Sequence, residues 1–415
     1  MTVAAQEEPA GRWRMLAVLS VGILLAEAPW FSSGAVAPLL ATDWQPTGLE
    51  LSLLTVAVQI GFAAAALALA MTGAADVLPG RALFAMGATI TAVANLGFAW
   101  VATDPGSALP FRALTGAGIA AVYPVAMKMA AGWFRVRRGL ALGLVIGAIA
   151  AGSALPHLFR AFGALTGADW RMIVTWTSGA ALAGGLLVLA FGRPGPFDTR
   201  APRFSLRIAA SAFRQTSVRL ANLGYLGHMW ELFAMWTWVP LFLAASFAAA
   251  GLADPTIAAL ASFAVIAAGW LGCAAGGLIA DRFGRTTLAI GALAISGLCS
   301  LTVGFLFGAT PALVLALALA LVWGTTVAAD SPQFSAAVSE LAPPGTAGSA
   351  LAIQTAAGFT LTAITILAVG AVDAADGSGW RIAFASLAIG PAIGIIAMWR
   401  LRLLPDAVRM AGGRR

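Results

Sequence analysis

Apolar residues along this chain neither alternate with polar ones, as on a half-buried strand, nor keep to one side of a helix. They run on without interruption between short polar connectors. A helix needs roughly 20 apolar residues to cross a bilayer, and twelve runs meet that length. The first six are expected at Met15 to Leu40, Glu50 to Met71, Arg81 to Val101, Ser107 to Ala131, Gly139 to Phe162 and Arg171 to Phe191. The second six are expected at Arg219 to Phe247, Pro255 to Ala280, Thr286 to Phe307, Pro311 to Val338, Gly345 to Val372 and Trp380 to Leu401. Between the sets lies a stretch rich in Pro and Arg, in which Pro194, Pro196 and Pro202 block a continuous helix. The expected organisation is a six-helix unit over residues 1–191, a linker over 192–218, a second six-helix unit over 219–401 and a tail over 402–415.

Composition agrees with the pattern. Of 415 residues, 60% are hydrophobic and 10% charged, and the mean hydropathy is +0.90. A water-soluble fold would leave too much apolar surface uncovered, so the bilayer is the expected solvent. Continuous runs argue for helices over a membrane barrel, whose strands alternate, and 47 glycines suit close helix packing. Cys273 and Cys299 fall inside expected spans and form no disulfide framework. Ala26-Glu27-Ala28 imitates a signal cleavage box, but Pro29 directly after it disfavours cutting, so the first span is expected to be retained.

The net charge of +7 would suit a nucleic-acid ligand, but the positions of the arginines do not. With the N-terminus inside, nineteen arginines fall in inner segments, while Arg171 and Arg381 fall in outer ones and Arg112 near an outer helix end. That bias orients a membrane protein with both termini cytoplasmic. The expected partners are the lipid bilayer, a small-molecule substrate and protons or another coupling ion, with no nucleic acid. A monomer in a bacterial inner membrane is expected, without cofactor or metal.

The connector Gly276 to Arg285 carries Gly277, Asp281, Arg282, Gly284 and Arg285 at the spacing Gly-x-x-x-Asp-Arg-x-Gly-Arg. A weaker echo places Asp76, Gly80 and Arg81 at Thr72 to Arg81, and Asp76 and Asp281 stand 205 residues apart, close to half the chain. With this internal duplication, the chain resembles the major facilitator superfamily of secondary transporters, whose signature loop follows the second and the eighth helix. Arg112-Ala-Leu-Thr-Gly-Ala-Gly-Ile-Ala120 resembles another segment of that family. Trp133 to Gly139, with Gly143 and Gly147, resembles the entry to the fifth helix in organic-anion and nitrate-type members. Helix 5 departs from the drug-antiporter motif, because Gly143, Gly147, Gly152 and Pro156 lack its Gly-Pro and Gly-Gly pairs. The resemblance implies an all-α membrane fold of two pseudo-symmetric six-helix bundles, a signature loop that works during conformational change, and a cavity lined by helices 1, 4, 7 and 10.

An ionised side chain at the bilayer centre costs about 2.5–3.5 kcal/mol on insertion scales, so it should face a partner or a wet cavity. Glu27, Lys128, His228, Glu231 and Asp330 lie within spans on those four helices, with Arg112, His157 and Arg160 nearer outer ends. The repeat relates them: 204 residues separate Glu27 from Glu231, and 202 separate Lys128 from Asp330. Glu27 stands roughly 18 Å into its helix at 1.5 Å per residue, near the midplane. For Glu27 and Glu231 the competing reading is a neutral carboxylic acid joining helices. His228 and Glu231, three residues apart, form either a relay or a plain hydrogen bond. Lys128 either attracts an anion or snorkels to the interface, Asp330 pairs with Lys128 or with substrate, and the break at Pro332 frees carbonyls. Arg112 is a second-tier candidate. Trp30, Tyr123, Trp236 and Gln333 are cavity candidates; most of the fourteen tryptophans belong to interfacial belts.

The expected function is therefore solute transport by alternating access, driven by protons that buried carboxyls load and release. Lys128 suggests a small organic or inorganic anion. The alternatives are a proton-coupled exporter of drugs or amphiphiles, and a transporter-like ligand sensor, for which the short tail offers no signalling segment. No phosphate loop, metal cluster or nucleophile triad points to an enzyme.

Overall fold

The computed structural model describes residues 9–135, 137–198, 204–308, 313–372 and 377–415, without the side chains of Ala75, Asp76, Arg138, Ile208 and Ala209. Twelve helices are long and apolar enough to span a membrane: α1 Arg12–Asp43, α2 Gly48–Thr72, α3 Gly80–Trp100, α4 Pro105–Ala131, α5 Gly139–Thr166, α6 Trp170–Phe191, α7 Thr216–Ala249, α8 Pro255–Phe283, α9 Arg285–Leu306, α10 Leu313–Leu341, α11 Ala347–Gly370 and α12 Gly379–Leu403. A short linker helix, Leu206–Ala212, precedes α7, and a 3₁₀ tail, Pro405–Gly413, follows α12. An even number of crossings puts both chain ends on one face.

Helix starts differ between the two faces. On the face away from the chain ends α12 starts without a side-chain cap, but side chains cap four others: Thr47 and Glu50 form a capping box on α2, Asp104 and Ser107 another on α4, Asp169 caps α6 and Asp254 caps α8. Each satisfies backbone N–H groups that the helix leaves open and puts negative charge at the positive end of the helix dipole. Backbone and hydroxyl donors of Ser107 hold the Asp104 carboxyl below its ordinary range. On the chain-end face, α3, α5, α7, α9 and α11 start without a side-chain cap.

The duplication recurs in packing. α2 meets α4 at Gly61 and Gly116, where an added Cβ would lie 2.0 Å from Ala113 O and Val58 O. α8 meets α10 the same way at Gly272 and Gly324, where it would lie 1.8 Å from Thr325 O and 1.9 Å from Val265 O. Lipid tails are as apolar as leucine, so such backbone-to-backbone approaches are what hold membrane helices together. The two halves pack along α5 against α8 and α2 against α11.

Four of the described spans are interrupted. α1 breaks over Ala28–Phe31 at Pro29, α4 at Ala121–Val122 ahead of Pro124, α10 at Asp330 ahead of Pro332 and α12 at Ala388 ahead of Pro391. Proline removes one backbone donor and clashes with the preceding turn. Of these breaks, only that at Pro332 was expected from the sequence.

Candidate functional site

The broken helices α1, α4 and α10 meet α5, α7, α8 and α11 around a cavity of about 60 Å³. Its wall includes Trp30 of α1, Tyr123 of α4, Ile149 and Ala150 of α5, Tyr225, His228, Phe233 and Trp236 of α7, Cys273 of α8, Ser331 and Ser335 of α10 and Phe359 of α11. At roughly 10–15 Å³ per water by this measure it holds a handful of waters, so a solute needs the halves to separate further. An aromatic layer closes the end away from the chain ends. Trp30 lies 5.2 Å from Phe62 and 5.5 Å from both Phe233 and Phe359, and Trp236 packs edge-on to Phe31 at 5.9 Å and to Phe233 at 5.3 Å. Among the described residues no acceptor reaches the indole N–H of Trp30 or Trp236, although both are buried.

His228 is, among the described residues on the wall, the side chain able to carry a positive charge. Its Nε2 lies 2.8 Å from Ser331 Oγ and its Nδ1 2.9 Å from Asp330 Oδ1. The latter is an ion-pair distance off the hydrogen-bond line, since no described donor meets either Asp330 oxygen with hydrogen-bond geometry. Among the described residues the partner of Asp330 is thus His228, where the sequence offered Lys128 or substrate. The break at Pro332 turns Asp330 and Ser331 toward α7.

Glu231, one turn along from His228, does not reach the wall. Its Oε1 accepts from Trp323 Nε1 at 2.7 Å and its Oε2 from Ser296 Oγ at 2.8 Å, inside the second half between α7, α9 and α10. A relay through His228 and Glu231 therefore has no continuous path here. Glu27 is equally buried, but no described donor reaches either of its oxygens. It packs against α5 where an added Cβ on Gly152 would come within 2.9 Å of Glu27 Cβ. Trp30, one turn along α1, and Ala150 on α5 both line the cavity, so Glu27 lies directly behind the wall.

Arg112 is fully buried and serves the break in α1. Nη2 donates to Trp30 O at 2.6 Å, Nη1 lies 3.0 Å from each of Pro29 O, Ser32 Oγ and Asn95 Oδ1, and Nε donates to Leu54 O at 3.3 Å. The guanidinium thus serves carbonyls opened by the break in α1, Trp30 O and, beside the N–H and hydroxyl of Ser32, Pro29 O. Asn95 extends the network to α6 through Thr177 and Ser178, both at 2.9 Å. Lys128 sits half-buried in the last turn of α4, and the cavity wall includes neither it nor Arg112.

Gln333 is also elsewhere: it accepts from Arg285 Nη1 at 2.8 Å. Arg285 forks onto Glu340, with Nε–Oε2 2.8 Å and Nη2–Oε1 2.5 Å, so the signature loop is tied to the chain-end half of α10. Asp281 lies at the first turn of α5, its carboxylate 2.8 Å from where a Gly139 Cβ would stand, and Gly277 packs on Gly139 O across the halves. Gly284, at φ +96°, carries the tail: a Cβ there would meet Arg415 O, and Arg414 donates to Asp281 O. Arg282 is exposed against Phe283, and Arg81 is exposed at the start of α3. The side chain of Asp76 lies outside the described residues.

The sequence reading did not single out Tyr225, Asn95, Ser296 or Trp323. Tyr225 was detectable, three residues before His228 on the same helical face; the others are recognisable only from the helix they touch.

The sequence profile of the Major Facilitator Superfamily matches residues 19–364. No curated protein matches. Among solved structures, a D-xylose-proton symporter superposes with a TM-score of 0.73 at 19% identity, covering 96% of this chain and 99% of that one. The xylose transporter XylE from E. coli, in a partially occluded inward-open conformation, gives 0.72 at 16% identity over 96% and 98%. The nucleoside transporter NupG, in a mutant form, gives 0.69 at 14% identity over 93% and 99%. At such identities the likeness speaks for the fold. The profile match covers most of the chain and the fold agrees with it, so this protein is a membrane-embedded secondary transporter, not an enzyme, and belongs to the Major Facilitator Superfamily.

Proposed function

We propose that the protein moves a small uncharged, ring-bearing solute by alternating access, coupled to protons carried on Glu27. The observation that carries the coupling is Glu27 itself, a fully buried carboxyl with no described donor at either oxygen, one turn from the cavity wall. An ionised carboxylate there would be uncompensated, and such a group takes a proton instead. When the halves part and water reaches the wall, the same carboxyl releases it. The tight cavity, closed by the aromatic layer on one side and by the α5–α8 packing on the other, is the solute's place.

The wall's chemistry argues for an uncharged solute. Flat aromatic faces, hydroxyls of Tyr123, Tyr225, Ser331 and Ser335 and two unpartnered indole donors suit a ring with acceptor atoms. The anion suggested by Lys128 finds no lysine or arginine on the wall. The xylose-proton symporter and the nucleoside transporter that share the fold are named for solutes of this kind.

The skewed arginines and the acidic caps on the opposite face support a bacterial inner membrane with both chain ends in the cytoplasm. In this reading residues 1–191 and 219–401 are the rocking units and residues 192–218 the linker, working as a monomer. Thermal-shift screening of purified protein against sugars, nucleosides, carboxylates and cationic drugs tests the solute class. Stabilisation by a sugar or nucleoside is expected, and stabilisation by carboxylates alone contradicts it. In proteoliposomes, the solute so found should accumulate under an inward proton gradient; equal uptake with and without the gradient contradicts the coupling.

A further inference from the structure

A groove of about 500 Å³ opens on the flank of the protein where the two halves meet. Leu67 of α2 forms one side, Leu226 of α7 and Ile353, Ala357 and Ile364 of α11 the other, and Leu206 of the linker helix stands at one end. The lining is apolar except for Thr360, whose hydroxyl donates to Ala356 O at 2.8 Å, and Ala357 makes the floor shallow. Eleven residues separate Ile353 from Ile364, roughly 16 Å at 1.5 Å per residue. That is the depth of one leaflet, half of a hydrocarbon core about 30 Å thick.

The mouth has the opposite character. Ser205 N donates to Ser349 Oγ at 3.2 Å, which ties the linker to the start of α11. Leu206, 65% exposed, and the exposed Arg207 follow directly, and Arg214 and Arg219 are exposed further along the same segment. A leaflet-deep, mostly apolar slot that ends at Leu206, with the exposed Arg207 next in the chain and Arg214 following on the same segment, is complementary to one kind of molecule, with a long acyl chain under an anionic headgroup.

We propose that this groove is a binding site for an anionic phospholipid, with an acyl chain along α11 and the phosphate at Arg207 and Arg214. Because α2 belongs to one half and α7 and α11 to the other, the lipid spans the seam across which they move.

The test uses the full-length protein, delipidated in detergent and titrated with phosphatidylglycerol or phosphatidylcholine while native mass spectrometry counts bound lipid. Wild type should bind phosphatidylglycerol about thirtyfold more tightly, the order expected for two basic side chains near a surface phosphate. Arg207→Glu with Arg214→Glu should erase the preference and leave phosphatidylcholine binding intact. Ala357→Trp, at an exposed position, should weaken both lipids by filling the floor. Equal affinity for the two lipids in wild type overturns the proposal, as does a preference that survives the double charge change or a phosphatidylglycerol affinity untouched by Ala357→Trp. Dimers that Ala357→Trp converts to monomers would assign the groove to self-association and overturn it too.

Discussion

Glu27 and Glu231 stand at equivalent places in two repeated halves, yet their surroundings are opposite. Glu231 is held by an indole N–H and a hydroxyl, one donor to each oxygen. Glu27 faces the backbone-tight surface of α5 at Gly152 and meets no described donor. A buried acid with both oxygens bonded ties helices together, whereas one with neither bonded is poised to change its protonation when water arrives. Duplication supplied two carboxyls, and the neighbouring helices gave them different work. The His228–Asp330 pair shows the same divergence, since in the second half the described side chain on the wall able to carry a positive charge is a histidine one turn away from the acid.

The contrast can be broken at either acid. Glu27→Gln should abolish proton-driven accumulation while solute counterflow persists, because the isostere keeps the packing against Gly152 and loses only the titrating proton. Glu231→Gln should leave coupled uptake within about threefold of wild type, because an amide still meets Trp323 and Ser296. Uptake assays in proteoliposomes separate the two, and coupling lost in Glu231→Gln but kept in Glu27→Gln would exchange the roles.

Stability sharpens the comparison further. Arg112→Leu should destabilise by about 3 kcal/mol in denaturant or thermal unfolding, the upper end of the range for leaving a buried acceptor without its donor. It strands Trp30 O and leaves Pro29 O and Asn95 Oδ1 to Ser32 alone. Trp323→Phe should cost less, about 1–3 kcal/mol, by leaving Glu231 Oε1 without its donor. Were Trp323→Phe silent, Glu231 would not be the structural acid described.

Much of this was legible in the chain, for reasons that also set the limit. Twelve spans follow from run length alone, and the Gly277 to Arg285 signature with its echo at Asp76 exposed the duplication. Charges inside apolar runs drew attention to Glu27, Glu231 and Asp330, which are buried, and to Lys128, which is half-buried, and offsets near 205 related them in pairs. What an offset leaves open is which side chain a distant helix offers in return. Ser296 and Trp323 lie 65 and 92 residues from Glu231, and nothing local to Glu27 announces that Gly152 will face it. Gln333 looked like a cavity residue because it follows Asp330, but three residues along a helix that restarts at Ser331 it faces Arg285. Arg112 carried a family-like motif, and its clamp on α1 depends on the break at Pro29, which reads locally as no more than a kink.

The most direct test needs no knowledge of the solute. Infrared spectroscopy of the purified protein at neutral pH resolves the C=O stretch of protonated carboxyls, which lies higher when the group is free of hydrogen bonds. A high-frequency band that vanishes in Glu27→Gln and remains in Glu231→Gln is predicted. A spectrum that Glu27→Gln leaves unchanged would mean that Glu27 carries no proton there, and would contradict the account.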